Sequence, residues 1–161
     1  MNLKDILAVS GKPGLYKFIS QGRNGVIVES FSDNKRMVVH SSNKVSALED
    51  IAIFTETDEV PLKDVMGKIY EKETGAATMS HKSSNNELKD FFEEILPDYD
   101  KDRVYVSDIK KVINWYNILV DLNLLDPNDN GEEENKEDAK DSDSESAEVN
   151  TNEENTQEDN K

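Results

Sequence analysis

The sequence predicts an α+β fold: a small SH3-like β-barrel or bent antiparallel sheet over residues 1–58, a helical subdomain over 59–126, and a disordered acidic tail over 127–161. Three observations lead there. Short segments rich in β-branched and aromatic residues fill the region from Leu15 to Thr55. After Pro61 the apolar period changes to 3.6. From Pro127 onward the only aliphatic side chains are Ala139, Ala147 and Val149, against fourteen Asp and Glu and three Lys, so nothing offsets the entropy of ordering that backbone.

At the start, Leu3, Ile6 and Leu7 suit one face of a short helix with Asn2 as its cap. Four strands are then expected, in "LYKFISQ" (15–21), "VIVESF" (26–31), "RMVVHS" (36–41) and "DIAIFT" (50–55). Asn24-Gly25 and "SDNK" (32–35) supply the turns of an antiparallel meander. Four short strands are too few for a sandwich. They fit a bent sheet or barrel whose interior takes Leu15, Ile19, Val26, Val28, Val39, Ile51 and Ile53.

Pro61 suits a first helical turn, and Leu62, Val65, Met66, Ile69 and Tyr70 line one face before Gly75 stops the helix. Residues 75–86 read as a flexible linker. Ser84 to Glu87 forms a capping box, followed by Leu88, Phe91, Phe92, Ile95 and Leu96 at helical spacing until Pro97. Ser107 is expected to cap a last helix over 108–122. On that helix Ile109, Val112, Ile113, Tyr116, Leu119 and Val120 form a stripe that Trp115, Ile118 and Leu122 widen to an arc of roughly 220°. Such an arc belongs either at the centre of the helical subdomain or at a docking surface, with Trp115, Ile118 and Leu122 meeting a protein partner or a second copy. There is no internal repeat.

The acidic stretch "DYDKDRVYVSDI" places Asp98, Asp100 and Asp102 at positions 1, 3 and 5 of a would-be calcium loop. That loop needs glycine at its sixth position and a bidentate glutamate at its twelfth, where this chain has Arg103 and Ile109. The stretch reads instead as a solvated turn, with Tyr99 or Tyr105 packing inward and "VYV" (104–106) briefly extended. Cysteine is absent, which excludes disulfides and thiolate metal sites. His40, on a strand, and His81, in the linker, are the only histidines and show no zinc-ligand spacing. "SGKPG" lacks the spacing of a phosphate loop. No catalytic residue, metal or cofactor is expected. The run "ILAV" is too short for a signal-peptide core or a membrane span, so a soluble cytoplasmic protein is the default.

Charge points to a partner. Residues 1–55 hold seven Lys and Arg against five Asp and Glu, with Lys12, Lys17, Arg23, Lys35, Arg36 and Lys44 on turns and strand ends beside Tyr16, Phe18 and Phe31. Cations meet phosphates and aromatics stack on bases, so these six residues are the candidate nucleic-acid contacts. The acidic tail either aids solubility or competes with an anionic ligand at the basic face.

The runs "MNLKDILAVSGKPGLYKFISQGRNGVIVES", "KVSALEDIAIFT" and "DYDKDRVYVSDIKKVINWYN" together resemble a family of small Bacteroidetes proteins classed as a domain of unknown function, over about residues 1–125. The resemblance implies a cytoplasmic bacterial protein with a β-rich first part and a helical second part, and brings no reaction or ligand. The function expected is that of a non-enzymatic binding or adaptor protein contacting RNA or a ribonucleoprotein through the basic loops. The alternative is a module that recognises a polypeptide through the helical half.

Overall fold

The computed structural model describes residues 2–40 and 42–125. Five strands form one antiparallel sheet: β1 (Ile6–Val9), β2 (Tyr16–Gly22), β3 (Gly25–Ser30), β4 (Arg36–His40) and β5 (Val45–Ala47), in the order β4-β3-β2-β1-β5. A 3-10 turn (Leu48–Asp50) leads to a hairpin of β6 (Ala52–Phe54) and β7 (Glu59–Pro61). Three helices follow: α1 (Leu62–Lys72), α2 (Asn85–Ile95) and α3 (Val106–Asp121). Among these residues no helix is long and apolar enough to cross a membrane.

The expected meander of β2, β3 and β4 is present, and the sheet is bent rather than closed. β4 pairs with β3 and β5 pairs with β1, which leaves both as edges, so the barrel alternative does not hold. A bulge at Ile19, where the register of β2 against β3 shifts between Phe18 and Ser20, bends the strand. The hairpin loop is Arg23–Asn24, one residue earlier than the Asn-Gly pair suggests, and Gly25 opens β3 with φ +152°. A Cβ at that position would lie 2.1 Å from the Val39 carbonyl oxygen of the neighbouring strand. Gly25→Ala is therefore expected to destabilise the fold by about 3 kcal/mol or more, read as a shift of the urea midpoint, because backbone cannot yield as a side chain can.

The first helix expected from Leu3, Ile6 and Leu7 is instead β1. Its four residues are apolar because both faces of the sheet are covered. Ile6 and Ala8 pack with the helices, while Leu7 and Val9 join Tyr16, Val28 and Val39 in a second cluster on the opposite face. An unbroken apolar run of this length carries no period to read. The same two-sided burial divides the interior residues expected of a barrel: Leu15 and Ile53 face the helical side, Val28 and Val39 the other. The segment "DIAIFT" leaves the sheet and pairs with β7, through a tight turn in which the buried Thr55 hydroxyl donates to the Asp58 carbonyl at 2.9 Å and accepts its N–H at 2.9 Å.

In the helical part the apolar stripes are buried as their spacing predicts: Leu62, Val65, Met66 and Ile69 on α1, then Leu88, Phe91, Phe92 and Ile95 on α2. Ser84 and Glu87 form the capping box. Gly75, at φ +80°, stops the α1 segment by donating its N–H to the Tyr70 carbonyl at 2.9 Å. α3 starts at Val106, and its cap lies two residues before the expected Ser107. Asp108 accepts the Tyr105 N–H at 3.3 Å, which makes Tyr105 the cap, so "VYV" is not an extended segment. Tyr99, not Tyr105, turns inward: its ring meets Phe92 edge-on at 5.2 Å, whereas Tyr105 is exposed.

α3 packs on α2 with one side and towards the sheet with another, which accounts for its wide apolar arc. Leu3, Ile6, Leu15 and Leu48 from the N-terminal half and Ile109, Ile113, Tyr116 and Leu119 from α3 belong to one continuous core.

Candidate anion-binding cleft

Three separate segments meet beside α3. The first is the loop Ser10–Gly14, "SGKPG", which leaves β1. Gly11 and Gly14 take φ of +78° and +82°, the left-handed conformation that glycine adopts without strain. The loop is fixed by Ser10 donating its N–H to the Lys44 carbonyl at 2.9 Å and by the Tyr16 hydroxyl donating to the Pro13 carbonyl at 3.1 Å. It presents Lys12, and the β4–β5 connection presents Lys44 beside it.

The second segment joins α1 to α2, and the structure corrects its reading as a flexible linker. Two polar side chains of α3 clamp it. The Tyr116 hydroxyl donates to the Ala76 carbonyl at 2.9 Å, Asn117 Oδ1 accepts the Thr78 N–H at 2.9 Å, and Asn117 Nδ2 donates to the Met79 carbonyl at 3.1 Å. Burial pushes the Tyr116 hydroxyl up to about 12, with the Glu73 and Tyr70 charges adding to the shift, so it stays a donor throughout the usual pH range. The clamp brings His81, half-buried, to the rim of the cleft.

The third segment is the flank of α3 itself. Lys110, Lys111, Asn114 and Trp115 recur at helical spacing and form the opposite wall. The resulting cleft has a volume of about 410 Å³. Four lysines, one histidine and a tryptophan line it, and among the described residues no Asp or Glu does. Residues 2–125 as a whole hold sixteen Lys and Arg and twenty Asp and Glu, so this concentration of one sign is local, not a reflection of the chain. Among the described residues only Lys111 of the four lysines has a carboxylate partner, Asp108 at 3.0 Å. A second hollow of about 260 Å³ shares Ile51, Lys111 and Trp115 with the first and continues to Arg103 and Phe54.

Of the six basic residues singled out in the sequence, the structure brings Lys12 and Lys44 together and leaves the others elsewhere. Lys17 lies beside Asp5 in a hollow near Asn123. Arg23 is in the β2–β3 hairpin loop. Lys35 pairs with Asp33 at 3.2 Å and Arg36 with Glu29 at 2.8 Å. Of the α3 residues, Trp115 lies between the two hollows, half-buried against the core. Ile118 and Leu122 border a separate hollow beside Phe31, where Leu122 is exposed. Lys110, Lys111, Asn114 and His81 are not among the binding candidates the sequence offers; the two adjacent lysines, one four residues before Asn114 and the other four before Trp115, are the available signal.

The acidic loop is organised around a cation of the chain's own. Asp100 accepts the N–H groups of Asp102 and Arg103 at 2.9 and 3.1 Å and the Arg103 Nε at 2.6 Å. Arg103 also donates to the Thr55 carbonyl at 3.1 Å, and its guanidinium lies 4.2 Å from the centre of the Phe54 ring. The Arg103 hydrogen bond, with those of the two backbone groups, holds the Asp100 carboxyl below the usual carboxylate range. Among the described residues no three His, Asp or Glu side chains are placed to hold a metal ion. A carboxyl whose pKa is lower in the folded state stabilises it above its unfolded pKa, and that contribution is lost as pH falls through the folded value. Thermal stability is therefore expected to fall as pH drops below the unfolded carboxyl value of about 4, and to fall less steeply in Asp100→Asn, as melting curves at acid pH will show.

Residues 3–48 match a family described as a domain of unknown function (DUF5606), and residues 51–119 match a second, also a domain of unknown function (DUF6852). A solution NMR structure of a protein from Bacteroides vulgatus is 48% identical to this chain, with a TM-score of 0.65, over 78% of this chain and 90% of that one. The chain belongs to this Bacteroidetes family. No curated protein matches it. The two family segments meet at the 3-10 turn Leu48–Asp50, and the cleft takes one wall from each: Lys12 and Lys44 from the first, His81 and the α3 lysines from the second.

Proposed function

We propose that this member of the family is a non-enzymatic, cytoplasmic binding protein whose cleft holds single-stranded RNA, free or within a ribonucleoprotein. The observation that carries the reading is the gathering of Lys12, Lys44, Lys110 and Lys111 around Trp115 with no carboxylate among the lining residues. Lysines release counterions when they meet phosphates, and an indole edge or face gives a base something to stack on. Neither contact needs a particular base, so binding is expected to be weakly selective for sequence.

The test is fluorescence anisotropy of labelled single-stranded RNA with the full chain at low salt. Binding should weaken with added salt, with a log–log slope of about −2 to −3 for three or four phosphate contacts at about −0.7 each. Absence of binding at the lowest salt overturns the reading, and equal binding of polyglutamate turns it towards an acidic polypeptide. The alternative, a polypeptide or second copy docking on the helical half, draws on the exposed Leu122 beside Ile118 and Phe31. Sedimentation of the protein and of Leu122→Ser would show a concentration-dependent difference if that face associates.

A further inference from the structure

We infer that the acidic segment 127–161 of this chain docks in the lysine cleft and that an external anion must displace it. The inference rests on the cleft being an anion site, the reading proposed above, but not on that anion being RNA. It starts from which cations are already engaged. Lys35, Arg36, Lys72, Lys101 and Arg103 each pair with a carboxylate, those of Asp33, Glu29, Glu94, Glu93 and Asp100. Lys12, Lys44 and Lys110 have no ion pair among the described residues, although they share one cleft. The largest surplus of carboxylates in the sequence lies beyond residue 126: fourteen Asp and Glu against three Lys, net −11.

Position permits the contact. The segment leaves the body next to Leu125, which is buried at the end of the core and fixes the point of departure. From Trp115 to the end of α3 at Asp121 is about 9 Å at 1.5 Å per residue, whereas 35 residues can span on the order of 100 Å when extended. An anionic segment on so short a tether acts at an effective concentration on the order of millimolar. Even a weak individual contact between carboxylate and lysine is then repeatedly satisfied, and the cleft is screened from anions that cannot outcompete it. Phosphates of a polymer, each carrying a full charge in fixed sequence, can do so.

The experiment compares the full chain with a full-length variant in which the fourteen acidic residues from Asp129 to Asp159 become Asn or Gln. Trp115 is the only tryptophan, so its indole N–H gives one resolved NMR resonance inside the cleft. At low salt that resonance and the amides of Lys12 and Lys44 are expected to differ between the two proteins, and to coincide in about 0.5 M salt, where charges are screened within a few ångströms. Coincidence at low salt overturns the inference; so does a difference confined to other cations such as Arg23. RNA titration of the same pair separates the two proposals. A gain of about tenfold in affinity for the neutralised variant supports both, and a shifted Trp115 resonance with no RNA binding by either protein retains the docked segment while removing RNA as the ligand.

Discussion

Phe92→Ala is expected to lower the melting temperature by about 10–20 °C and the unfolding free energy by about 3–5 kcal/mol. Phe92 has no solvent exposure and stands where α2 meets the acidic turn, with the ring of Tyr99 edge-on at 5.2 Å. Truncation removes the transfer term of a whole ring, leaves a cavity in the core, and strips Tyr99 of a partner worth about 0.5–1.5 kcal/mol. Domains of this size have about 5–15 kcal/mol in total, so the variant sits near the limit of folding. Val38→Thr, at a half-exposed position on edge strand β4, should change stability by no more than about 0.5 kcal/mol in the same denaturant series. A Phe92→Ala loss equally small would mean that α2 is not packed as described.

The triple variant Lys12→Glu, Lys44→Glu and Lys110→Glu is expected to weaken binding of single-stranded RNA at least a hundredfold at low salt. Loss of three phosphate contacts also reduces the slope of log affinity against log salt by about 2. All three side chains reach the cleft from separate segments, and Lys12 and Lys44 are exposed, so folding should be retained and circular dichroism should be unchanged. The matching control is Lys35→Glu with Arg36→Glu, which makes the same kind of charge change on a face where Asp33 and Glu29 already occupy the cations. If the control loses as much affinity as the cleft variant, binding follows net charge and not the cleft.

What could be read from the sequence divides by distance along the chain. The α1 and α2 stripes, the Ser84–Glu87 capping box and the Gly75 stop are set by residues within a turn of one another, and they are present. β1 reads as a helix in sequence because its burial is two-sided and leaves no alternation. β5, only three residues long, and β7, which ends in a proline, carry too little pattern to be recognised without their partners. Which edge "DIAIFT" would join depended on Glu59–Pro61, not on its own residues. Lys12 and Lys44 are legible as exposed cations, whereas their meeting with Lys110 requires two loops and a helix to be placed first. Asn117, a polar residue inside an apolar arc, was the one local sign that the segment from Ala76 to Met79 would be tied down. The tail reading concerns residues outside those described.

The single core running from Leu3 through Leu48 to Leu119 binds the fates of the two family segments together. A chain cut in the 3-10 turn would bare Leu15 and Leu48 on one fragment and the underside of α1 and α3 on the other, each an apolar surface prone to aggregate. Either half expressed without its companion is therefore expected to aggregate.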